Sequence, residues 1–98
     1  MTIKKNLENT TLTLELEGRL DTMTAPNLET ELRDSMEGIT SLILDMAKLE
    51  YVSSAGLRVI LGAQKQMKKQ GEMVIRHVNN TVMEVFEVTG FVDILTIE

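Results

Sequence analysis

The sequence predicts an α/β fold with a mainly parallel, mixed sheet of about four to five strands. Two observations support this prediction. Short apolar segments with strand-like periodicity alternate with segments of helical periodicity, and glycines or other turn residues separate them. The resulting order is β-β-α-β-α-β-α-β, in which right-handed crossovers connect the parallel strands. With 98 residues and no Pro- or Ser-rich linker, the chain is expected to form a single domain over residues 1–98.

The first two strands are predicted to form a hairpin. Residues 11–17 read TLTLELE, where leucines alternate with polar residues at the period of a half-buried strand. A weaker, edge-like strand precedes it at residues 3–7, and the polar residues between the two favour a tight turn. Gly18 is expected to end the second strand.

A helix and a central strand follow. Thr24 is a suitable N-cap, because its hydroxyl can accept a hydrogen bond from an amide of the first turn, and Pro26 is tolerated in that turn. Gly38 lies where a C-terminal cap is expected, after apolar residues at helical spacing, Ala25, Leu28, Leu32 and Met36. Residues 41–47, SLILDMA, are apolar on both faces, which predicts a central strand covered on both sides.

The second half of the chain continues this alternation. The stretch YVSSAGLRVIL at residues 51–61 leads into a second helix that Gly71 ends, with an apolar face made of Leu57, Ile60, Leu61 and Met67. A strand over residues 72–78, a short helix over residues 80–89 and a final strand over residues 94–97 complete the predicted order.

Composition argues against several classes of protein. The formal net charge is −5 and the chain has one Tyr, two Phe and no Trp, so direct binding to nucleic acid or to an anionic membrane is not expected. The absence of cysteine excludes disulfides, thiolate metal sites and thiol nucleophiles. No apolar run approaches the ~18 residues that span a bilayer, and no signal region opens the sequence. We therefore expect a cytoplasmic monomer that acts through protein partners.

Ser53 and Ser54 lie where a strand and loop enter the second helix. The structural interpretation is that a hydroxyl caps the helix, which contributes about 1 kcal/mol relative to alanine. Capping needs only one hydroxyl. Because Ala55 and Gly56 have little or no side chain, another molecule could approach the backbone amides of the first turn. An exposed helix N-terminus also favours a phosphate through its free amides and its dipole. Ser54 is therefore expected both to cap the helix and to be a modification site.

An enzymatic site is not expected. Val52 stands where a G-x-S-x-G nucleophile motif centred on Ser54 would need its first glycine. The only histidine, His77, falls on the apolar face of a predicted strand, where a core or rim position is more frequent than a catalytic base. One histidine and scattered carboxylates do not make a metal site, and glycine-rich phosphate loops are absent. Neither a cofactor nor a metal is expected.

Asp21, in GRLD, and Asp45, at the end of the predicted central strand, have two interpretations. Each can terminate its element through hydrogen bonds from its side chain to the backbone. Alternatively, because ligand sites gather at the carboxyl ends of parallel strands, Asp21, Asp45 and Ser54 can converge at one edge of the sheet.

Three segments of the chain resemble the STAS family, and within it the bacterial anti-sigma-factor antagonists. They read G-R-L-D at 18–21, L-I-L-D at 42–45 and L-E-Y-V-S-S-A-G-L at 49–57. The likeness covers nearly the whole chain and the order of elements agrees. The serine segment is the most specific of the three.

The resemblance implies a regulatory binding protein rather than an enzyme. In the family this segment usually reads D-S-(S/A)-G-L, and a partner that is both anti-sigma factor and serine kinase phosphorylates the serine after the Asp. That serine corresponds to Ser54, and Asp21 matches an acidic residue that the family keeps near it. A PP2C-type serine phosphatase is the second partner implied. The surroundings that bind the partner are then expected to be Asp21, Asp45, Ser53, Ala55, Gly56, Leu57 and Arg58.

Two departures from the family concern this site. Ser53 replaces the family's Asp, which removes a carboxylate able to orient the hydroxyl and makes Ser53 a second candidate acceptor. Arg58 stands where the family often has glycine, four residues after Ser54 and on the same helical face. The helix dipole disfavours a cation there by roughly 0.3–1 kcal/mol. Arg58 is therefore expected to contact a phosphate on Ser54 or an acidic group of the partner, and the alternative is a solvated arginine.

The function implied is partner switching. The unphosphorylated chain would bind an anti-sigma factor that is also a serine kinase and thereby free a sigma factor, and phosphorylation of Ser54 would abolish binding. The main alternative is a STAS subunit of an ABC system that transports phospholipids. A receptor for a nucleotide or another small ligand is a third interpretation, and nothing in the sequence selects a ligand.

Overall fold

The computed structural model describes residues Met1–Glu98 and contains a four-stranded sheet with three α-helices. Its elements are β1 (Thr2–Glu8), β2 (Thr11–Leu20), α1 (Ala25–Ser35), β3 (Ser41–Val52), α2 (Ser54–Gln70), β4 (Glu72–Arg76), α3 (Asn80–Val88) and a 3-10 helix (Phe91–Asp93). The strands lie in the order β1-β2-β3-β4, with β1 antiparallel to β2 and the other pairs parallel. The predicted α/β class and the mixed sheet are confirmed.

One face of the sheet is buried. On β2 and β3, buried residues alternate with partly accessible ones, and the buried positions join residues of all three helices in a single core. This corrects the prediction that β3 is covered on both sides. Leu42 and Leu44 are fully buried. Ile43, which lies between them, and Asp45, which follows Leu44, are only half-buried.

β3 continues to Val52 instead of ending at Ala47, and its pairing with β2 shifts register twice along the way. Twelve residues of β3 consequently lie beside ten residues of β2. Such bulges interrupt the alternation of inward and outward side chains, which hid the second half of the strand from its sequence pattern. Gly18, predicted to end β2, lies within it at a φ of +102°, a value that glycine adopts readily, and β2 runs on to Leu20.

The C-terminal ends of α1 and α2 are joined by one side chain. The Gln70 side-chain amide donates hydrogen bonds to the carbonyl oxygens of Met36 at 2.8 Å and Ile39 at 2.6 Å. The Met36 carbonyl also accepts the Ile39 N–H at 3.2 Å, so Gln70 adds a second hydrogen bond there and gives the Ile39 carbonyl a donor. Gly71 then packs directly on Thr40, where a Cβ atom would lie 1.8 Å from the carbonyl oxygen. These contacts fix the end of α2 against the loop that follows α1.

The helices differ from their predicted patterns in small ways. On α2, Leu57, Ile60 and Met67 are buried as predicted, whereas Leu61 is only half-buried. α3 begins at the N-cap Asn79, whose Oδ1 accepts a hydrogen bond from the third helical amide. None of the helices combines the length and the apolar character that crossing a membrane requires.

The predicted fifth strand is wrong. After the 3-10 helix, Ile97 makes only an isolated parallel bridge to Ile75, supported by two backbone hydrogen bonds of 2.9 Å. β4 also ends earlier than predicted, at Arg76, because His77 adopts a left-handed backbone conformation with a φ of +61°. The chain therefore leaves the sheet before the segment that was expected to extend it.

Replacing Gly71 with alanine is expected to lower the free energy of unfolding by about 3 kcal/mol, because the added methyl group overlaps the Thr40 carbonyl. Denaturant unfolding of both proteins measures the difference. Lys69→Ala, an exposed position in the same last turn, is the control and should change stability by no more than ~0.5 kcal/mol. Equal stability of Gly71→Ala and the wild type would contradict the close packing of Gly71 on Thr40.

Candidate functional site

Ser53 caps α2, which leaves Ser54 free. Ser53 has an extended backbone (φ −94°, ψ 175°), and its Oγ accepts a hydrogen bond from the Gly56 N–H at 3.4 Å. Ser54 is the first residue of α2, its side chain is exposed, and its hydroxyl takes no part in the hydrogen bonds of the chain. The prediction that Ser54 itself caps the helix is therefore wrong. Ser54 presents an unbonded hydroxyl at the positive end of the helix dipole.

The first turn of α2 packs against the end of β2. The Ser53 N–H donates to the Leu20 carbonyl at 2.9 Å, and a Cβ atom at the buried Gly56 would lie 2.7 Å from Leu20 Cγ. The expectation that another molecule could approach over Ala55 and Gly56 is corrected, because Leu20 of the same chain fills that space. Leu57 is buried as well and Ala55 is half-buried, so these residues support the site from beneath.

Asp21 lies beside this turn, at the start of the loop between β2 and α1. Its Oδ1 accepts hydrogen bonds from the backbone N–H groups of Met23 at 3.0 Å and Thr24 at 3.2 Å. The Thr24 hydroxyl donates to the Arg19 carbonyl at 2.7 Å and accepts from the Asp21 N–H at 2.9 Å. Thr24 thus closes the loop, and the prediction that its hydroxyl caps α1 is wrong. The loop holds its shape through its own polar groups.

The Asp21 carboxylate is stabilised in its charged form. Desolvation alone would raise the pKa of Asp21, but hydrogen bonds from Thr24 and Met23 lower it, and the Arg19 charge acts in the same direction. The net result is a pKa below the usual value. Arg19 Nε lies 3.6 Å from Asp21 Oδ2, and its guanidinium carbon lies 4.5 Å from the ring centroid of Tyr51.

Sequence reasoning missed the stack of Arg19 on Tyr51. The two residues are register partners on the parallel strands β2 and β3, which are distant in sequence. Their pairing also depends on the two shifts of register, so neither strand alone signals it. A basic residue in GRLD and an aromatic residue in LEYV were the only available signs.

Asp45 lies apart from the serine segment. It is inside β3, about 23 Å before the last residue of the strand at a rise of ~3.3 Å per residue. Its Oδ1 accepts from the Ala47 N–H at 3.0 Å and lies 3.0 Å from His77 Nδ1. His77 is exposed, with 63% of its side chain accessible, and not on the apolar face that was predicted. The structure therefore brings Asp21 close to the serine segment but leaves Asp45 in a separate cluster.

Arg58 lies one turn beyond Ser54 on α2. Its side chain is exposed, and it makes no ion pair within the chain. It stands at the margin of an open groove between α1 and α2. The structure thus leaves this guanidinium available to an external group.

The arrangement of these elements matches a known family. The family model of the STAS domain matches residues 2–98. The chain belongs to the STAS family. This STAS chain is 40% identical over 84 residues to BtrV of Bordetella bronchiseptica, by its name a candidate anti-sigma factor antagonist, and the match covers 84% of this chain and 72% of BtrV.

Solved structures of the anti-sigma factor antagonist SpoIIAA share the fold of this STAS chain. The unphosphorylated form aligns with a TM-score of 0.85 at 18% identity, covering 99% of this chain and 88% of SpoIIAA. The phosphorylated form from Bacillus aligns with a TM-score of 0.77 at 17% identity, covering 99% and 91%. The STAS chain contains no group of three or more His, Asp or Glu side chains arranged to hold a metal ion.

The charge on Asp45 is expected to stabilise this STAS fold in a pH-dependent way. Desolvation alone would raise the pKa of Asp45, but the hydrogen bonds from Ala47 and His77 and the nearby charges of His77 and Arg76 lower it below its usual value. The stabilisation is therefore fully present above pH ~4 and is lost as the pH falls through the folded-state pKa. At pH 5, Asp45→Asn should lower the free energy of unfolding by about 1 kcal/mol, a modest value because the site is partly solvated.

Denaturant unfolding between pH 5 and pH 2.5 measures this difference. It should shrink steadily as the wild-type carboxylate becomes protonated. Asp34→Asn, an exposed carboxylate on α1, is the control and should show no such trend. A difference that stays constant down to pH 2.5 would show that charge on Asp45 does not stabilise the fold.

Proposed function

We propose that the protein is an anti-sigma-factor antagonist that works by partner switching. Its unphosphorylated form binds an anti-sigma factor that is also a serine kinase, and this binding frees a sigma factor. Phosphorylation of Ser54 abolishes the binding, and a PP2C-type serine phosphatase restores it. The observation that carries the proposal is the exposed, unbonded hydroxyl of Ser54 at the start of a helix that Ser53 already caps.

The geometry favours Ser54 over Ser53 as the phosphorylated residue. The Ser53 Oγ is partly shielded and accepts a hydrogen bond from the Gly56 N–H, so phosphorylating it would disturb the cap. The Ser54 hydroxyl has no such bond to lose. A phosphate on Ser54 would also lie at the N-terminus of α2, where the dipole and unpaired amides favour an anion. The helix can therefore carry the phosphate without unfolding.

Ser53 fulfils the structural task of the aspartate that the family usually has at this position. Both serine and aspartate are good N-caps, because each has a side-chain oxygen that accepts from the first turn. The replacement therefore keeps the helix start and removes one negative charge beside Ser54. We infer that the segment remains a kinase substrate.

The effect of phosphorylation on binding is electrostatic. A phosphoserine adds about −1.5 to −2 charges at pH 7 to a domain whose formal net charge is −5. The ionised Asp21 lies beside the same turn and adds to the negative potential there. At an interface that accommodates a neutral serine, the phosphate would reduce the free energy of binding by about 3 kcal/mol, which is roughly a 100-fold loss of affinity.

The test begins with the unphosphorylated chain as bait in extract from its native cells. We expect it to retain the anti-sigma factor, a histidine-kinase-like ATPase. The purified ATPase with ATP should place one phosphate on Ser54, located by peptide mapping. Calorimetry should then show roughly 100-fold weaker binding of the phosphorylated chain. Recovery of a transporter ATPase instead would support the interpretation as a subunit of an ABC transport system and would contradict partner switching.

Two matched variants separate modification from capping. Ser54→Ala should abolish phosphorylation and change the free energy of unfolding by no more than ~0.5 kcal/mol. Ser53→Ala should still be phosphorylated on Ser54 but should be less stable by about 1 kcal/mol, because it loses the cap. Phosphorylation of Ser54→Ala to the wild-type extent would place the site elsewhere and contradict the proposal.

Arg58→Ala tests whether this guanidinium contacts the phosphate. A nearby cation favours the doubly charged phosphate, so the substitution should raise the second pKa of phosphoserine 54 by about 0.5, as phosphorus NMR can measure. It should also change the affinity for the partner. Lys65→Ala, two turns further along the exposed side of α2, is the control. If Arg58→Ala alters neither quantity, Arg58 is a solvated residue with no part in the switch.

A further inference from the structure

An open groove of about 380 Å³ runs between the outer sides of α1 and α2, and we call it the α1–α2 groove. Four apolar residues form its floor, and of these only Val59 is partly exposed, whereas Leu32, Met36 and Ala63 are buried. Gln70 joins the two helices at one end of the pair, and Arg58 lies towards the other end, one turn from Ser54. A protein that reaches Ser54 would therefore also lie next to this groove.

Gly62 in the groove has no explanation within the chain. It lies in the middle of α2, where glycine is less favourable than alanine. A Cβ atom at Gly62 would meet no atom within 4 Å, and its φ is not positive. Gly56 and Gly71, in contrast, are both required because a Cβ atom would overlap Leu20 or Thr40. No contact within this chain therefore requires glycine at position 62.

We propose that the α1–α2 groove is a docking surface for the anti-sigma factor, whose backbone passes directly over Gly62. This inference rests on the proposed function and extends the interface from Ser54 along α2. A glycine on a helix lets another backbone approach closely, and the visiting segment can then place apolar side chains against Val59, one turn from Gly62. The groove thus adds specificity beyond the serine.

The charges at the rim indicate the chemistry of the visiting segment. The rim carries two guanidinium groups, those of Arg33 and Arg58, and only one carboxylate, that of Glu29. The Glu29 carboxylate lies 3.7 Å from the Arg33 guanidinium. The rim is therefore positive on a domain whose formal net charge is −5. Charge complementarity selects a segment of the anti-sigma factor that carries apolar side chains together with at least one carboxylate.

The deciding experiment measures Gly62→Ala in two ways. The melting temperature of the free chain should rise by about 4 °C, because alanine favours the helix and its methyl group enters open space. The dissociation constant for the ATPase recovered with the wild-type chain should increase about tenfold or more, because the methyl group blocks the close approach. A chain that becomes more stable yet binds more weakly identifies Gly62 as an interface residue.

Two further variants complete the design. Arg33→Glu, on α1 and remote in sequence from Ser54, should weaken binding severalfold at low ionic strength and less at high salt. Lys65→Ala, on α2 but outside the groove, should change neither affinity nor melting temperature appreciably.

Each adverse result has a distinct meaning. Wild-type affinity in Gly62→Ala overturns docking in the groove and leaves the switch at Ser54 intact. A lower melting temperature of Gly62→Ala overturns the premise that the chain itself does not need this glycine. Failure of the wild-type chain to bind any histidine-kinase-like ATPase overturns the proposed function and the groove proposal together.

Discussion

The contact between Leu20 and the first turn of α2 is the constraint on which the site depends. The Leu20 carbonyl accepts the Ser53 N–H, while its side chain fills the space above Gly56. This contact joins the end of β2 to the start of α2 and so places Asp21, the next residue, beside the serine segment. A larger residue at position 56 would push the helix away from the strand and separate the carboxylate from the serine.

In the proposed switch, the two neighbouring serines divide two tasks that one residue would perform poorly. A hydroxyl that caps a helix must keep its hydrogen bond, whereas a hydroxyl that accepts a phosphate must be free to react. Ser53 keeps the bond to Gly56 and Ser54 remains exposed, so a modification at the second position does not remove the cap. The charge of Asp21 is fixed by its own loop and does not depend on either serine.

The sequence predicted the elements that have regular periodicity and failed where the backbone departs from it. The alternation of leucines in β2 and the helical spacing in α1 and α2 identified these elements and much of the core. The two register shifts in β3, the left-handed His77 and the single bridge at Ile97 have no periodic signature. They therefore misled the predictions of strand length and strand number.

The candidate site shows the same limit. Ser54 and Asp21 were recognisable from local motifs, because the residues that define them are adjacent in sequence. The separation of Asp45 from Ser54 followed from the true length of β3, and the stack of Arg19 on Tyr51 followed from inter-strand register.

α2 is anchored at both ends, by Leu20 at its start and by Gln70 and Gly71 at its finish. Such a helix has little freedom to tilt, so a phosphate on Ser54 would alter the electrostatic potential of a rigid surface and leave its shape unchanged.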